Sequence, residues 1–423
     1  MNLLPPESVR GMQQLDREKF TKQITVPSLL VANENVGKSM KVLKKYLLKV
    51  EKLKPVVEDT EEKKRVLLNP NLFGGFKIFD EDQLQTLKDL DVAENHLSDY
   101  ELEMKYENYK VDDILKAVLP EGKEGCTSYS RIGHIIHLNL RDHLLSYKWL
   151  IGQVFVDKLH GVRTVVNKNH IIDSTYRNFQ MEVLAGEADF IATVKENTCT
   201  FTFDFSQVYW NPRLCTEHER IVKLLPENCV LFDVFAGVGP FAVPAAKVRK
   251  CRVFANDLNP HSTQWLKENV HRNKAAHVEV FNKDGRQFIR ENLRDFILQE
   301  PESTIHVTLN LPALAVEFLD SFCGLLDEDS TTSDGDLKQR IEQNLNMTVH
   351  VYSFCQESSA TEEMRMKVES VLKCDLQPFI IDIIDVRDVS PKKHMIRMSF
   401  KMPWNVLLTD DGSPTCKRSK WLE

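Results

Sequence analysis

Between residues 230 and 312 the apolar and polar positions repeat one pattern, a short apolar run followed by a polar residue where the run ends. VLFD ends in Asp233 and turns through two glycines into a small-residue segment, and RVFAND ends in Asp257. HVEVFNKDG ends in Asp284 and Gly285, and TIHVTLNLP ends in Asn310 with Pro312 just beyond. Such runs, bounded by turn residues, predict strands, and the glycine loop predicts a tight passage from strand to helix. A fifth strand is expected at 347–354, a helix at 361–374, and two last strands in FIIDIIDVRDV and HMIRMSFKMP that close the sheet with an antiparallel edge. The fold class is α/β with a mainly parallel sheet.

The pattern before residue 206 differs. Residues 1–105 read as a small α+β module, with 80–110 as helices plus a linker. Over 37–54, Val42, Leu43, Tyr46, Leu47 and Val50 fall on one side of an amphipathic helix and Lys41, Lys44, Lys45, Lys49 and Lys52 on the other. A solvated outer face accounts for the lysines; an RNA-facing surface is the alternative. Residues 106–205 read as mainly β: HIIHLNL is a strand, a helix follows around 143–150, VFVDKL, RTVVNK and IIDSTYR are strands, and FIATVKENTCTFTFDF is a hairpin turning at Glu196 and Asn197. Lys158, His160, Arg163, Lys168 and His170 cluster near its turns and are local candidates for phosphate contact. Pro212 suits the start of a helix carrying Ile221, Leu224 and Leu225 on its apolar side. The main α/β domain is expected over 206–405, with an acidic, serine-rich insertion near 327–336 and a flexible tail at 406–423.

The glycine loop carries the first chemical signal. Gly237 and Gly239 allow a close approach of ligand to main chain, and with Ala242 the spacing satisfies a dinucleotide fingerprint. Two residues oppose that reading. A pyrophosphate would face the Asp233 carboxylate, and Pro240 would withhold one N–H donor. S-adenosylmethionine, which carries an amino group and a sulfonium and no phosphate, incurs neither penalty. Asp257 stands where α/β folds place an acid for ribose hydroxyls, and Asp284 suits the adenine amino group. Any one of these acids is more often a strand end or a helix cap, yet polar termini on successive strand ends favour a ligand crevice.

Composition narrows the class. The chain has 423 residues, 42% of them hydrophobic, enough for two or three domains, and a formal charge of -7, so any RNA binding must come from a local basic face. Nine cysteines without a C-x-x-C pair indicate reduced thiols and no metal site. Glu7, Asp16 and Glu18 fit a secretory or mitochondrial leader poorly, and no stretch reaches the roughly 18 apolar residues of a membrane helix.

Longer motifs join these signals. YWNPRLCTE at 209–217, DVFAGVGPF from Asp233 with Phe235 inside it, DLNP at 257–260, NLP at 310–312 and TYRNFQMEVLAG at 175–186 together make the chain resemble the archaeal and eukaryotic tRNA guanine-37 N1-methyltransferases. The resemblance covers nearly the whole length. It implies a class I, Rossmann-like methyltransferase domain using S-adenosylmethionine, preceded by a small domain that checks tRNA shape and a middle domain. It implies cofactor contacts at His218, Asp233, Phe235, Gly237, Gly239, Asp257, Leu258, Asp284, Gly285 and Asn310. It further implies Glu217 as general base, Arg177 at the guanine, and Tyr209, Asn310 and Pro312 around the target base. The expected partner is tRNA, at its anticodon loop and outer corner, bound by a monomer in the cytoplasm, with nucleus and mitochondrial matrix as further compartments of the family.

The chemistry suits these residue types. Guanine N1 carries a proton that a carboxylate such as Glu217 can remove, while a guanidinium such as Arg177 stabilises charge building on O6. A flipped base needs an aromatic such as Tyr209 beside it. Singly, each has a bland reading: a first-turn acid, an ion-pair partner, a core ring. Two rival functions remain, an aminocarboxypropyl transferase of the wybutosine pathway and a catalytically silent tRNA-binding protein.

Overall fold

The computed structural model describes residues 3–122, 125–126, 129–172, 179–326 and 335–408. The chain divides into two compact units, one of Met1–Lys168 with Met181–Asp189, the other of Asn169–Gln180 with Phe190–Glu423.

In the first unit, β1 (Lys22–Ala32), β2 (Val56–Glu58), β3 (Lys63–Leu67) and β4 (Leu97–Met104) form an antiparallel sheet in the order β2-β3-β1-β4. β4 lies in the polar stretch expected to be helical. Its alternation buries Leu102 and Met104 and leaves the acids outside, as suits a half-covered strand. A second sheet has the order β5-β6-β7-β8, with β5 (Tyr129–Ile132), β6 (Ile135–Leu138), β7 (Thr164–Ile172) and β8 (Phe179–Gly186). One apolar core takes Phe20, Val26 and Leu102 together with Ile136, Phe155 and Val165, so the core does not break at residue 105 where the sequence suggests a boundary.

Three local expectations are corrected. The helix at 36–43 (Val36–Leu43) is shorter than 37–54, because Leu47 leaves the helix to bridge Leu68 and Val50 bridges Leu53; the lysines named from its polar side are exposed all the same. VFVDKL is not a strand but lies in helix Lys148–Lys158, where Val154 and Phe155 are fully buried; a short apolar run alone does not separate a strand from a buried helix. Two of the basic residues named for phosphate contact are engaged within the fold. Lys158 sits over the Tyr106 ring at 4.1 Å and bonds its carbonyl, and Arg163 pairs with Asp189 at 2.7 Å.

The second unit opens with the expected hairpin, β9 (Ile191–Glu196) and β10 (Cys199–Asp204), whose turn residues Asn197 and Thr198 have φ of 47° and 63°. Then comes a seven-stranded sheet of β11 (Val230–Asp233), β12 (Arg252–Asn256), β13 (Val278–Phe281), β14 (Thr304–Leu309), β15 (Asn346–Gln356), β16 (Ile380–Ser390) and β17 (Lys393–Lys401). Its order is β13-β12-β11-β14-β15-β17-β16. The first five neighbours run parallel and β17 runs antiparallel to both β15 and β16, as the sequence pattern predicts. Strand order reverses between β11 and β14, which opens a crevice at the carboxyl ends of the strands. The C-terminal helix Trp404–Leu408 seats Val406 and Leu407 in the core, so the packed fold extends past 405; the rest of the expected tail and the insertion at 327–334 lie outside the described residues.

Candidate active site

The crevice holds a cavity of about 520 Å³. Its floor is the turn after β11, where the two glycines serve different needs. Gly237 has φ 54° and open space where a Cβ would stand, so the main chain is bare toward the cavity. At Gly239, φ is 99° and a Cβ would meet Leu266 at 2.6 Å and Val243 at 2.7 Å. Gly239 does not line the cavity, and backbone angle and packing alone require a glycine there.

Asp257, just past β12, fastens this turn. Its Oδ2 accepts the Gly237 N–H at 2.8 Å and its Oδ1 accepts the Asn259 N–H at 2.9 Å, and each oxygen keeps a lone pair for a ligand. Burial pushes this carboxyl up to about 6, against the pull of the two N–H groups. Asp284, past β13, caps helix Gly285–Phe288 by accepting the Arg286 N–H at 2.9 Å through Oδ1. Above Gly285, Phe235 and Phe318 meet edge to face at 4.9 Å, and a Cβ on Gly285 would stand 3.0 Å from both rings. The result is a narrow apolar slot with a carboxylate at its rim and Leu258 exposed beside it.

Asp233 lies behind the turn, fully buried and off the cavity surface. Oδ1 accepts the Thr308 hydroxyl at 2.8 Å while Oδ2 has no partner among the described residues, and burial pushes the carboxyl up to about 7. An uncompensated buried acid under a bare glycine turn, with a second carboxylate at Asp257 that can still accept hydrogen bonds and an apolar slot alongside, fits a nucleoside carrying positive charge. The donor set therefore fits S-adenosylmethionine and disfavours a phosphate ligand.

The far side of the cavity is the one expected to take a base. Tyr209 is 52% exposed at the mouth, with its hydroxyl accepting from Asn211 at 3.3 Å. Asn310 and Pro312 follow β14, and the Asn310 amide has no partner among the described residues, so it can read a base edge. His218 lines the wall, and its Nδ1 donates to the buried Glu196 carboxylate at 2.5 Å, which fixes the ring.

Glu217 stands one side chain back. It is 2% exposed and does not line the cavity, although Leu214 and His218 on the same helix Cys215–Leu224 region do. Its Oε1 accepts the Tyr352 hydroxyl at 2.9 Å and pairs with Arg397 Nε at 2.9 Å, and its Oε2 pairs with Arg220. Arg397, itself fully buried, also pairs with Asp382 at 3.2 Å. Arg177 lies outside the described residues. All other residues named from the sequence, apart from Asp233, Gly239 and Glu217, line the one cavity. Sequence reasoning missed Phe318, Phe354, Met395 and Arg387, which line it too, and Glu196, Tyr352 and Arg397, which hold its wall.

Family models match in two places: residues 192–331 fit the TRM5/TYW2 methyltransferase domain and 111–189 the TYW2 N-terminal domain. A tRNA (guanine(37)-N(1))-methyltransferase of Drosophila melanogaster is 50% identical over 415 residues, covering 96% of this chain and 88% of that protein. The Homo sapiens protein of the same name is 45% identical over 412 residues, covering 95% and 78%. The chain belongs to the tRNA (guanine(37)-N(1))-methyltransferase family. Among solved structures, Trm5b from Pyrococcus abyssi covers 89% of this chain with 99% of its own at a TM-score of 0.59, and aTrm5 in complex with tRNALeu covers 89% with 100% at 0.60. At 21% identity each carries the likeness of fold alone.

Proposed function

We propose that the protein transfers the methyl group of S-adenosylmethionine to N1 of guanosine 37 in tRNA. The observation that carries this reading is identity of 45–50% over nearly the whole chain with relatives bearing that activity in their names, joined to a cavity whose acids suit the cofactor. When bound, S-adenosylmethionine supplies a methyl carbon on a positively charged sulfur, which departs as a neutral thioether. Asp257 would receive the ribose hydroxyls and Asp284 the adenine edge beside Phe235 and Phe318, and an ionised Asp233 would set a negative field under the turn.

Tyr209 stacks on the flipped base at the mouth, and Asn310 and Pro312 hold its edge. N1 loses its proton as it bonds to the methyl carbon, and Glu217 accepts that proton. Oε2, paired with Arg220, is the oxygen that takes it, while Tyr352 and Arg397 keep hold of Oε1. Arg177 meets the charge on O6. The protein acts as a monomer in the cytoplasm, and on tRNA-Phe this methylation is the first step toward wybutosine.

The test is labelled transfer to tRNA transcripts carrying G37 or A37, followed by digestion and mass analysis of the modified nucleoside. N1-methylguanosine from the G37 transcript alone is the expected result. An aminocarboxypropyl adduct, or no incorporation, overturns the reading in favour of one of its rivals.

A further inference from the structure

We propose that Arg387 is a substrate-binding residue that grips an RNA phosphate next to the target nucleotide. The inference rests on reading the cavity as a guanosine-37 site. Among the described residues that line it, Arg387 is the one permanent cation, facing a site whose other charged groups are the acids Asp257 and Asp284. Its place in the sheet says which ligand it serves. Phe354 on β15 donates its N–H to the Pro312 carbonyl at 3.2 Å, Met395 on β17 pairs with Phe354, and Arg387 on β16 pairs with Met395. All four line the cavity. The row therefore runs outward from the target-base corner, and with strands about 4.8 Å apart Arg387 stands roughly 10 Å beyond Phe354. The cofactor acids follow β12 and β13, on the opposite flank of the sheet.

Local structure explains how the side chain comes to face inward. The β16–β17 register shifts between Asp385 and Arg387 and again between Asp388 and Ser390, and such bulges re-aim side chains at the rims of sites. The fold makes little structural use of the guanidinium. It donates one bond, from Nε to the Asp388 carbonyl at 3.0 Å, while the Asp385 and Asp388 carboxylates turn to His394 at 2.6 and 3.3 Å. Lys393, whose ammonium lies 4.7 Å over the Phe354 ring, adds positive charge on the same rim. A guanidinium with two unused N–H faces at the base side of a nucleotide cavity matches the two oxygens of a phosphodiester. Phosphate rather than base is the target, because the groups suited to base edges already sit at Asn310 and Pro312.

The experiment compares the full-length wild type with Arg387→Ala, Arg387→Gln and Arg387→Lys. It measures tRNA affinity across a salt series, S-adenosylmethionine affinity by calorimetry, and melting temperature. Expected for Ala and Gln is about tenfold weaker tRNA binding with a salt slope lower by about one, for Lys a smaller loss, and for all three unchanged cofactor affinity and melting. Unchanged tRNA affinity and slope in both Ala and Gln overturn the proposal, and so does a loss confined to the cofactor, which would assign Arg387 to the cofactor's carboxylate. Methylation of a G37 transcript by the wild type is run alongside: its failure sinks the functional reading, whereas normal methylation with an indifferent Arg387→Gln sinks only this one.

Discussion

Two buried carboxylates stand on the two sides of the crevice, and their surroundings are opposite. Asp233, at the end of β11, has a neutral hydroxyl on one oxygen and, among the described residues, nothing on the other. Glu217, packed toward β15 and β17, has two guanidiniums and a phenol. In a low-dielectric interior an ion stays charged only if something answers it. On the Glu217 side the chain supplies the answer itself. On the Asp233 side it withholds one, and a cationic ligand is what would supply it. The cofactor flank is thus left electrostatically incomplete and the base flank is pre-assembled, so changing the acid on each flank should have different consequences.

The largest effect is expected at Glu217. Glu217→Gln keeps size and the bond from Tyr352 but removes proton affinity, so transfer in a single turnover should fall by about a hundredfold or more while cofactor and tRNA still bind. Arg397 retains Asp382 at 3.2 Å, so the variant is not left with a lone buried cation. Wild-type transfer should rise with pH and level off; the Gln variant should keep rising toward alkaline pH as free guanine ionises. A Gln variant with wild-type rates and profile would make Glu217 a structural acid and erase the functional half of the comparison.

Asp233 comes next, and here stability and binding should move in opposite directions. Its folded value of about 7 exceeds the ordinary 3.8, so the folded state holds a proton that the unfolded chain releases between those limits. The stability tied to that proton is present below about pH 4 and lost as pH rises through 7. Asp233→Asn should therefore melt higher than wild type at pH 8 and alike at low pH, while binding S-adenosylmethionine about tenfold more weakly at pH 8. In the wild type, cofactor affinity should climb as Asp257 and then Asp233 ionise through pH 6 and 7. Calorimetric titrations and melts from pH 5 to 8.5 check both. Equal melting at pH 8 would mean that Asp233 already has an answering charge.

The same asymmetry governs what the sequence discloses. The cofactor flank is written in one stretch, from Asp233 to Gly285, where each acid follows its own strand and each glycine marks a turn, so pattern alone locates it. The base flank joins Tyr209, Asn310 and Pro312 with Tyr352, Arg387 and Arg397, whose meeting depends on strand order. Nothing local announces Arg397: RMSF alternates like any strand, and only the antiparallel insertion of β17 between β15 and β16 brings its guanidinium to Glu217. Arg387 needs two register shifts to reach the cavity, and bulges have no clear signature in FIIDIIDVRDV. In the first unit the failures have another cause. Leu47 and Val50 keep helical spacing yet belong to bridges, because Leu68, distant in sequence, competes for Leu47 and a local turn brings Leu53 to Val50.

The smallest effect is expected from Tyr352→Phe, and it asks whether the assembled flank is tuned or merely filled. Burial, reinforced by the Glu217 charge, holds the Tyr352 phenol well above its ordinary value, so at any working pH it is a donor and never an anion. Removing the hydroxyl deletes one of three groups that hold the carboxylate and leaves the ring packed on Phe241, whose centroid lies 6.4 Å away. A carboxylate with one fewer bond is less firmly positioned to take the N1 proton, so a several-fold loss of single-turnover rate is expected. Cofactor and tRNA affinities should not change. A purely structural hydroxyl would lower the melting temperature and leave the single-turnover rate where it was, and in that case Arg397 and Arg220 alone would position Glu217.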